Sequence, residues 1–300
     1  ELALHPIRTA GKSFIGEPMD ITLVHHIKQS TFSIFYRHGK RLLAVVGVIG
    51  LFVVIQFVTM YLQSPMLPSP ATVLVSVVRL LMTGEINEHI NSSLVIIIAG
   101  IGFAFVFGFL LGVLFYLAPK LEIMFMPLLN AMRSISAIAL VPLFIVLFGT
   151  GHITKIIIIF WTAWPSVLLN TVHGLRTVEK EVVEATKIDG ANKVQTLVVI
   201  IPVALSSILT GLRIAISGGW VSLVAAEMIG ANSGLGFYVL LKAQTFEYEK
   251  MFAGIIYIGL IGFCMNALLE VVQRSMYVEK RVTNNVGCVD NAFWLHKKNR

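Results

Sequence analysis

Charge is what this chain has least of. Asp, Glu, Lys and Arg make up 13% of its 300 residues, where a soluble domain carries about a quarter. With 56% hydrophobic residues and a mean hydropathy of +0.84, the scarcity excludes a water-soluble domain and implies an integral membrane protein. Cysteine is almost missing. Cys264 lies in an apolar run and Cys288 in a polar tail, which excludes a disulfide framework or a cysteine-rich metal centre. The histidines lack the His-Glu-x-x-His spacing of a zinc hydrolase. A complete phosphate loop is missing too. "RTAGKS" at 8–13 ends in Gly11-Lys12-Ser13, but Pro6 stands where the motif needs its first glycine and no apolar strand precedes it. No short apolar core with a small-residue cleavage site occurs in residues 1–41, so no cleavable signal peptide is expected. No long internal repeat is found, which counts against the two-repeat build of many secondary transporters.

What is present is a series of apolar runs of membrane-crossing length. Six spans are expected: Leu42–Leu62, Ile90–Leu117, Leu121–Phe148, His152–Val172, Val203–Ala226 and Met251–Val272. The third contains Pro127, Pro142 and the polar stretch "NAMRSISAIALVP", which suits a broken helix or a re-entrant turn lining a cavity. After span one, the run beyond Pro70 reads as a short amphipathic helix at the outer interface, or as a packed connector.

The net charge of +7 belongs to basic flanks of the spans, since no basic-aromatic module for nucleic acid is seen. With six spans, most basic residues fall on the side that holds residues 1–41, 118–120, 173–202 and 273–300. The other side has Arg79, Lys155, Lys242 and Lys250. The basic side is expected to be cytoplasmic, with both termini there. Residues 1–41 then form a cytoplasmic N-terminal segment, 42–272 the transmembrane domain with a cytoplasmic loop at 173–202, and 273–300 a cytoplasmic tail.

Small residues recur every fourth position in span two (Gly100, Ala104, Gly108, Gly112) and span five (Ser207, Gly211, Ala215, Gly219). Residues four apart share a helix face, and a small-residue ridge lets another helix approach closely. Spans two and five are therefore expected at the centre of a bundle, the ridges serving a contact within the chain or between two copies. Arg133 and Arg213 lie inside spans, where Glu122, Glu227 and Glu270 are all near span ends. A mid-depth cation needs a carbonyl, a carboxylate or water. Each arginine either holds backbone carbonyls or lends positive charge to an anion pathway.

One charged island interrupts the apolar chain. Residues 182–194 read "VVEATKIDGANKV". Lys180 and Glu184 stand four apart, which supports a helix. Val182, Val183, Ala185, Thr186 and Ile188 give it a narrow apolar face, and Gly190 ends or bends it. Such a helix is either an ordinary connector or a module that docks into a groove of another protein.

The island and the sequence after it, "VIIPVALSSILTGLRIAISGGWVSLVAAEMIGANSGLGF", resemble bacterial ABC-transporter permease subunits. In that family a cytoplasmic loop carries Glu-Ala-Ala, three further residues and Gly. The matching residues are Glu184, Ala185, Thr186, Gly190 and Ala191, with Pro202 beyond; Thr186 stands where the family has Ala. The run Gly211-Leu212-Arg213, Trp220, Ala226-Glu227 and Gly234-Leu235-Gly236 is similar to the nitrate/sulfonate/taurine/bicarbonate branch. So is "MRSISAIALVPLFIVLFGTG", where Ser136 replaces the usual Pro and leaves the shape of span three open. The resemblance covers about residues 65–280.

The resemblance implies an all-α integral membrane fold, a six-helix bundle like a type I ABC importer permease, in a bacterial inner membrane. It implies a coupling helix formed by Glu184, Ala185, Thr186, Asp189, Gly190 and Ala191. It also implies a homodimer, or a heterodimer with a second permease, standing on two cytoplasmic ATPase subunits and fed by an extracytoplasmic binding protein. No cofactor is expected in this chain, because ATP and Mg would be bound by the partner ATPase. The expected cargo is a small oxyanion such as nitrate, bicarbonate, taurine or another sulfonate, the alternative being a pyrimidine vitamin precursor. A stand-alone channel or secondary carrier is the competing class, but a carrier's paired mid-depth ionisable residues are not visible. Candidate pathway residues are Asn130, Arg133, Ser134 and Ser136. Trp161, Trp164 and Trp220 either wall the path or anchor at the lipid interface.

Overall fold

The structure is a computed structural model that describes residues 47, 50, 52–62, 64, 66–188 and 190–298, with side chains to Ser275. The "RTAGKS" stretch, Asp189 and the Cys288 side chain lie outside the described residues. Residues 1–62 form a unit of their own, whose described part is the apolar helix α1 (Phe52–Leu62). At this length α1 is shorter than a span, and the rest of the expected first span lies outside the described residues.

The second unit is helical throughout its described elements. In chain order these are α2 (Pro70–Thr83), α3 (Asn87–Leu117), α4 (Pro119–Ser134), α5 (Ala137–Phe148), α6 (His152–Arg176), α7 (Lys180–Ile188), α8 (Lys193–Gly230), α9 (Leu235–Gln244) and α10 (Tyr248–Lys298). Helices α3, α6, α8 and the Tyr248–Ser275 part of α10 are long and apolar enough to cross a bilayer. The expected third span is α4 and α5, bent by 91° at their junction. That agrees with the broken-helix expectation. Among the described residues, four continuous helices and one bent pair are thus long and apolar enough to cross.

Local signals set these boundaries. Ser69 caps α2, its Oγ accepting from the Thr72 amide at 3.3 Å, and Pro70 occupies the first turn. Proline suits that position because its missing N–H would be unpaired there in any residue. The α2 helix is a packed connector. It buries Val73, Ser76 and Leu80, and Tyr257 of α10 donates from its hydroxyl to the Val77 carbonyl at 2.7 Å.

The interior is organised around α6. The small ridge of α3 lies on it, so that a Cβ at Gly100 would come within 2.7 Å of Ile159 and one at Gly112 within 2.7 Å of Thr171. The ridge of α8 meets its other flank, with Gly211 against Asn170 and Ser166. Spans two and five were expected to be central, and they form the core with span four between them, both ridges being used within the chain. In lipid the gain comes from van der Waals contact between close backbones, since hydrocarbon offers no hydrophobic drive. Ile158, Ile159, Val167 and Leu168 of α6 are fully enclosed as a result.

The same contacts fix direction. Rising numbers along α3 meet rising numbers along α6 (Gly100 with Ile159, Gly112 with Thr171). Two spans that run parallel require the chain between them to cross back, so α4 and α5 together make one crossing. Helix α8 runs antiparallel to α6, because Gly174 meets Ser207 and Gly218 meets Thr162. One end of the unit therefore carries α7, and the opposite end carries α9.

Candidate functional site

At the α7 end, the charged island forms the expected helix and stays outside the bundle. None of its residues is buried. Val182 and Val183 lean on the cluster of Leu175, Leu197 and Ile200, and Thr186 Oγ1 lies 3.3 Å from Thr196 Oγ1. Glu184, Ala185 and Lys187 are exposed, and Ile188 is 85% exposed. Helix α7 thus presents one face to its own bundle and a second, mixed face that meets nothing among the described residues.

The stop after α7 is sharp. Gly190 has φ +77°, its amide donates to the Lys187 carbonyl at 3.0 Å, and the Ala191 amide donates to the Thr186 carbonyl at 3.0 Å. This is the paired bonding of a Schellman turn, which needs a left-handed residue and so favours glycine. Two residues on, Asn192 and Gln195 form a reciprocal capping box that starts α8, the Asn192 amide donating to Gln195 Oε1 at 2.8 Å. Stop and start signals a few residues apart fix α7 against α8.

The second region is the break between α4 and α5. Asn130, Arg133, Ser134 and Ser136 are all exposed around it. Ser134 Oγ donates to the Asn130 carbonyl at 3.0 Å, and Ser136 starts α5 without a side-chain cap. Among the described residues no ion pair is found for Arg133. Trp161 is half-buried beside Phe144, whereas Trp164 and Trp220 are enclosed in the protomer, and Trp220 Nε1 donates to the Ile258 carbonyl at 3.2 Å. These two tryptophans pack the interior and do not lie at a lipid surface. Trp161 and Trp164 border an apolar cavity of ≈ 460 Å³ with Phe107, Phe125 and Met132.

The expectation that Arg213 lacks a carboxylate is corrected. Its guanidinium lies 3.2 Å from Glu270 of α10, and Glu270 also pairs with Arg274. Polar contacts continue along the same α8–α10 seam. Gln273 Nε2 donates to Thr210 Oγ1 at 2.8 Å, and Ser217 Oγ donates to Asn266 Oδ1 at 2.8 Å. Glu122 is likewise buried and paired, with Arg176 of α6.

At the α9 end the chain closes on itself. Glu227, fully buried, accepts from Ser93 Oγ at 2.7 Å and from the Gly236 amide at 2.9 Å, and Ser93 Oγ accepts from the Leu235 amide at 2.9 Å. Lys155 Nζ donates to the Ser233 carbonyl at 3.0 Å. Gly234 has φ +117°, and a Cβ there would run into the Glu227 carboxylate. Beyond this lies a ring of alternating charges. Lys242 is 3.1 Å from Glu85 and 3.2 Å from Glu247, and Lys250 is 3.3 Å from Glu85 and 2.9 Å from Glu247. Hydrogen bonds from Lys250 and then Lys242 hold the Glu247 carboxyl down to about 2. Burial acts to raise Glu85, but the two lysines outweigh it and leave its carboxyl below the ordinary value.

The structure therefore gathers Glu184, Ala185, Thr186, Gly190 and Ala191 at one turn, and Asn130, Arg133, Ser134 and Ser136 at one break. It does not bring the two groups together. Sequence reasoning missed the α8–α10 seam and the Glu227 clamp. The signal for the seam was there, as polar residues at three- and four-residue spacing within two apolar helices.

Residues 104–278 match the family described as "Binding-protein-dependent transport system inner membrane component". The chain is 33% identical over 225 residues to the taurine transport system permease protein TauC of Escherichia coli, covering 73% of this chain and 82% of that protein. It is 29% identical over 215 residues to the putative aliphatic sulfonates transport permease protein SsuC of Bacillus subtilis, covering 71% and 78%. Among solved structures, an inward-facing MetNI methionine ABC transporter superposes with a TM-score of 0.57 at 20% identity, covering 65% of this chain and 97% of that one. At that identity the likeness shows the fold.

Proposed function

Because the chain belongs to the binding-protein-dependent ABC permeases, in the nitrate/sulfonate/taurine/bicarbonate branch, we propose that it forms half of the pathway of an ATP-driven importer for a small oxyanion. A sulfonate such as taurine is the first candidate, by likeness to the two relatives above. The observation that carries the reading is α7, a helix set rigidly on α8 by the Gly190 turn and the Asn192 capping box, whose second face meets nothing among the described residues.

In this reading the α7 end and both termini are cytoplasmic, as the excess of basic residues on that side supports. Glu184, Ala185, Thr186, Asp189, Gly190 and Ala191 dock into a cleft of an ATPase subunit. ATP and Mg are held by two such subunits, and their closure moves two α7 helices together. A second copy of this chain completes the pathway about a two-fold axis, and an extracytoplasmic binding protein delivers cargo at the α9 end. ATP does work here only through its different affinity for the inward- and outward-facing states. The break with Asn130, Arg133, Ser134 and Ser136 faces the pathway, where the exposed guanidinium of Arg133 attracts an anion. Trp161 borders it, with Trp164 and Trp220 as support behind.

The test is ATP turnover by this chain assembled with its ATPase in lipid nanodiscs. Binding proteins loaded with taurine, an alkanesulfonate, nitrate, bicarbonate or a pyrimidine are added in turn. A rise with a sulfonate- or other oxyanion-loaded protein supports the reading and names the cargo. A rise with the pyrimidine alone replaces the substrate class, and failure of any ATPase to copurify refutes the coupling role of α7. The Glu184→Arg chain should insert normally yet lose the stimulation.

A further inference from the structure

The polar seam between α8 and α10 is not explained by packing. From Thr210 through Arg213 to Ser217 on α8, each polar side chain meets one on α10, namely Gln273, Glu270 and Asn266. The spacing of three and four residues keeps all of them on one helix face. That face is open among the described residues of the second unit. Ser217 is exposed, and Arg213 and Glu270 keep 39% and 36% of their side-chain surface. Hydrocarbon surrounds it, with Ile214 and Val221 bordering Ser217 and Phe263 bordering Asn266, while Leu268 and Val271 are exposed on the far side of α10.

Depth decides what can face the seam. Gly211 packs against Ser166 and Asn170 in the middle of α6, so Arg213 lies well inside the apolar layer. An ion pair half-open to lipid tails there would cost several kcal/mol, whereas water or a polar cargo satisfies it. Among the described residues the charges do not cancel, because Glu270 is shared between Arg213 and Arg274 and one positive charge is left over. A second copy pressing the same seam against this one would oppose positive to positive, so a gap filled by water or an anion is favoured over dry contact.

We propose that the α8–α10 seam is a second, water-facing station of the pathway, at which Arg213 meets the anionic group of the cargo while Ser217 and Asn266 supply neutral hydrogen bonds. This rests on the transport reading above and adds a station distinct from the α4–α5 break. Its chemistry fits a small oxyanion. The guanidinium offers directional N–H donors, and Glu270 keeps it oriented without neutralising the site.

The test is cysteine accessibility in the full chain, assembled with its ATPase in nanodiscs without nucleotide, on a background with Cys264 and Cys288 replaced by serine. Ser217→Cys, Asn266→Cys, Ser134→Cys at the break and Leu268→Cys, exposed on the far side of α10, are treated with anionic sulfonatoethyl or cationic trimethylammonium-ethyl methanethiosulfonate. Ser217→Cys and Asn266→Cys are expected to react, with the anionic reagent faster by roughly tenfold, and Arg213→Gln should abolish the preference. If both seam cysteines stay as inert as Leu268→Cys while Ser134→Cys reacts, the seam proposal is overturned and the transport reading stands. Reaction without charge preference removes the anion station. If neither the seam nor Ser134→Cys reacts, the pathway reading fails and takes the station with it.

Discussion

The two ends of the second unit are built on opposite plans. At the α9 end the buried and clustered polar groups find partners within the chain: Glu227 with Ser93 and Gly236, Lys155 with Ser233, and two lysines with two glutamates. At the α7 end a helix of similar length exposes most of its side chains and rests on its own bundle through little more than Val182 and Val183. The first end is complete alone; the second is held in position but left open. Under the proposed function, the open end is where the ATPase subunit docks.

Breaking the closed end should cost most. Gly236→Leu would drive a side chain into the Val224 carbonyl, and a destabilisation above about 3 kcal/mol is expected, read as loss of the monodisperse peak in detergent. Glu227→Leu leaves the Gly236 amide and Ser93 without their acceptor, for about 3 kcal/mol, visible as a lowered thermal midpoint. At the open end, Gly190→Val meets no neighbour but must adopt φ +77°, at about 1–2 kcal/mol. Its signature should be a loss of ATPase stimulation larger than its loss of stability.

A pH series sharpens the same comparison. The Glu247 carboxyl is held low by Lys250 and Lys242, so its stabilising effect is present above the unfolded value near 4.5 and is lost as pH falls toward about 2. Wild type should melt above Glu247→Gln at pH 6, and the gap should close on acidification through that window. The smallest effect is expected at Ile188→Ser, within about 0.5 kcal/mol, although uptake should fall if that exposed apolar side chain docks. A stability change as large as that of Glu227→Leu would mean that the open end is not open.

Much of this was legible because it is local. Span periodicity, the helix around Glu184, the stop at Gly190 and the weakness of span three each depend on a few consecutive residues. What escaped depends on register between distant segments. Arg213 and Glu270 pair across the α8–α10 interface, and the polar spacing within each span does not say which other span it meets. Glu227 read as a span-end residue because its run of apolar neighbours ends there, yet the α9 loop folds over it and buries it completely. The small ridges were visible as ridges, but which helix they receive is a matter of packing, and α6 carries no such ridge to advertise itself.

The continuity of α8 has a consequence for timing. Its 38 residues make a rod of about 57 Å that begins at the Asn192 turn, passes the Arg213 seam and ends beside Glu227. A body of this kind cannot report the state of one end without constraining the other, apart from what Pro202 absorbs by bending. Thermodynamic reciprocity then applies. If cargo arriving at the α9 end changes how tightly the α7 end holds its partner, nucleotide at that partner must change cargo affinity by the same factor.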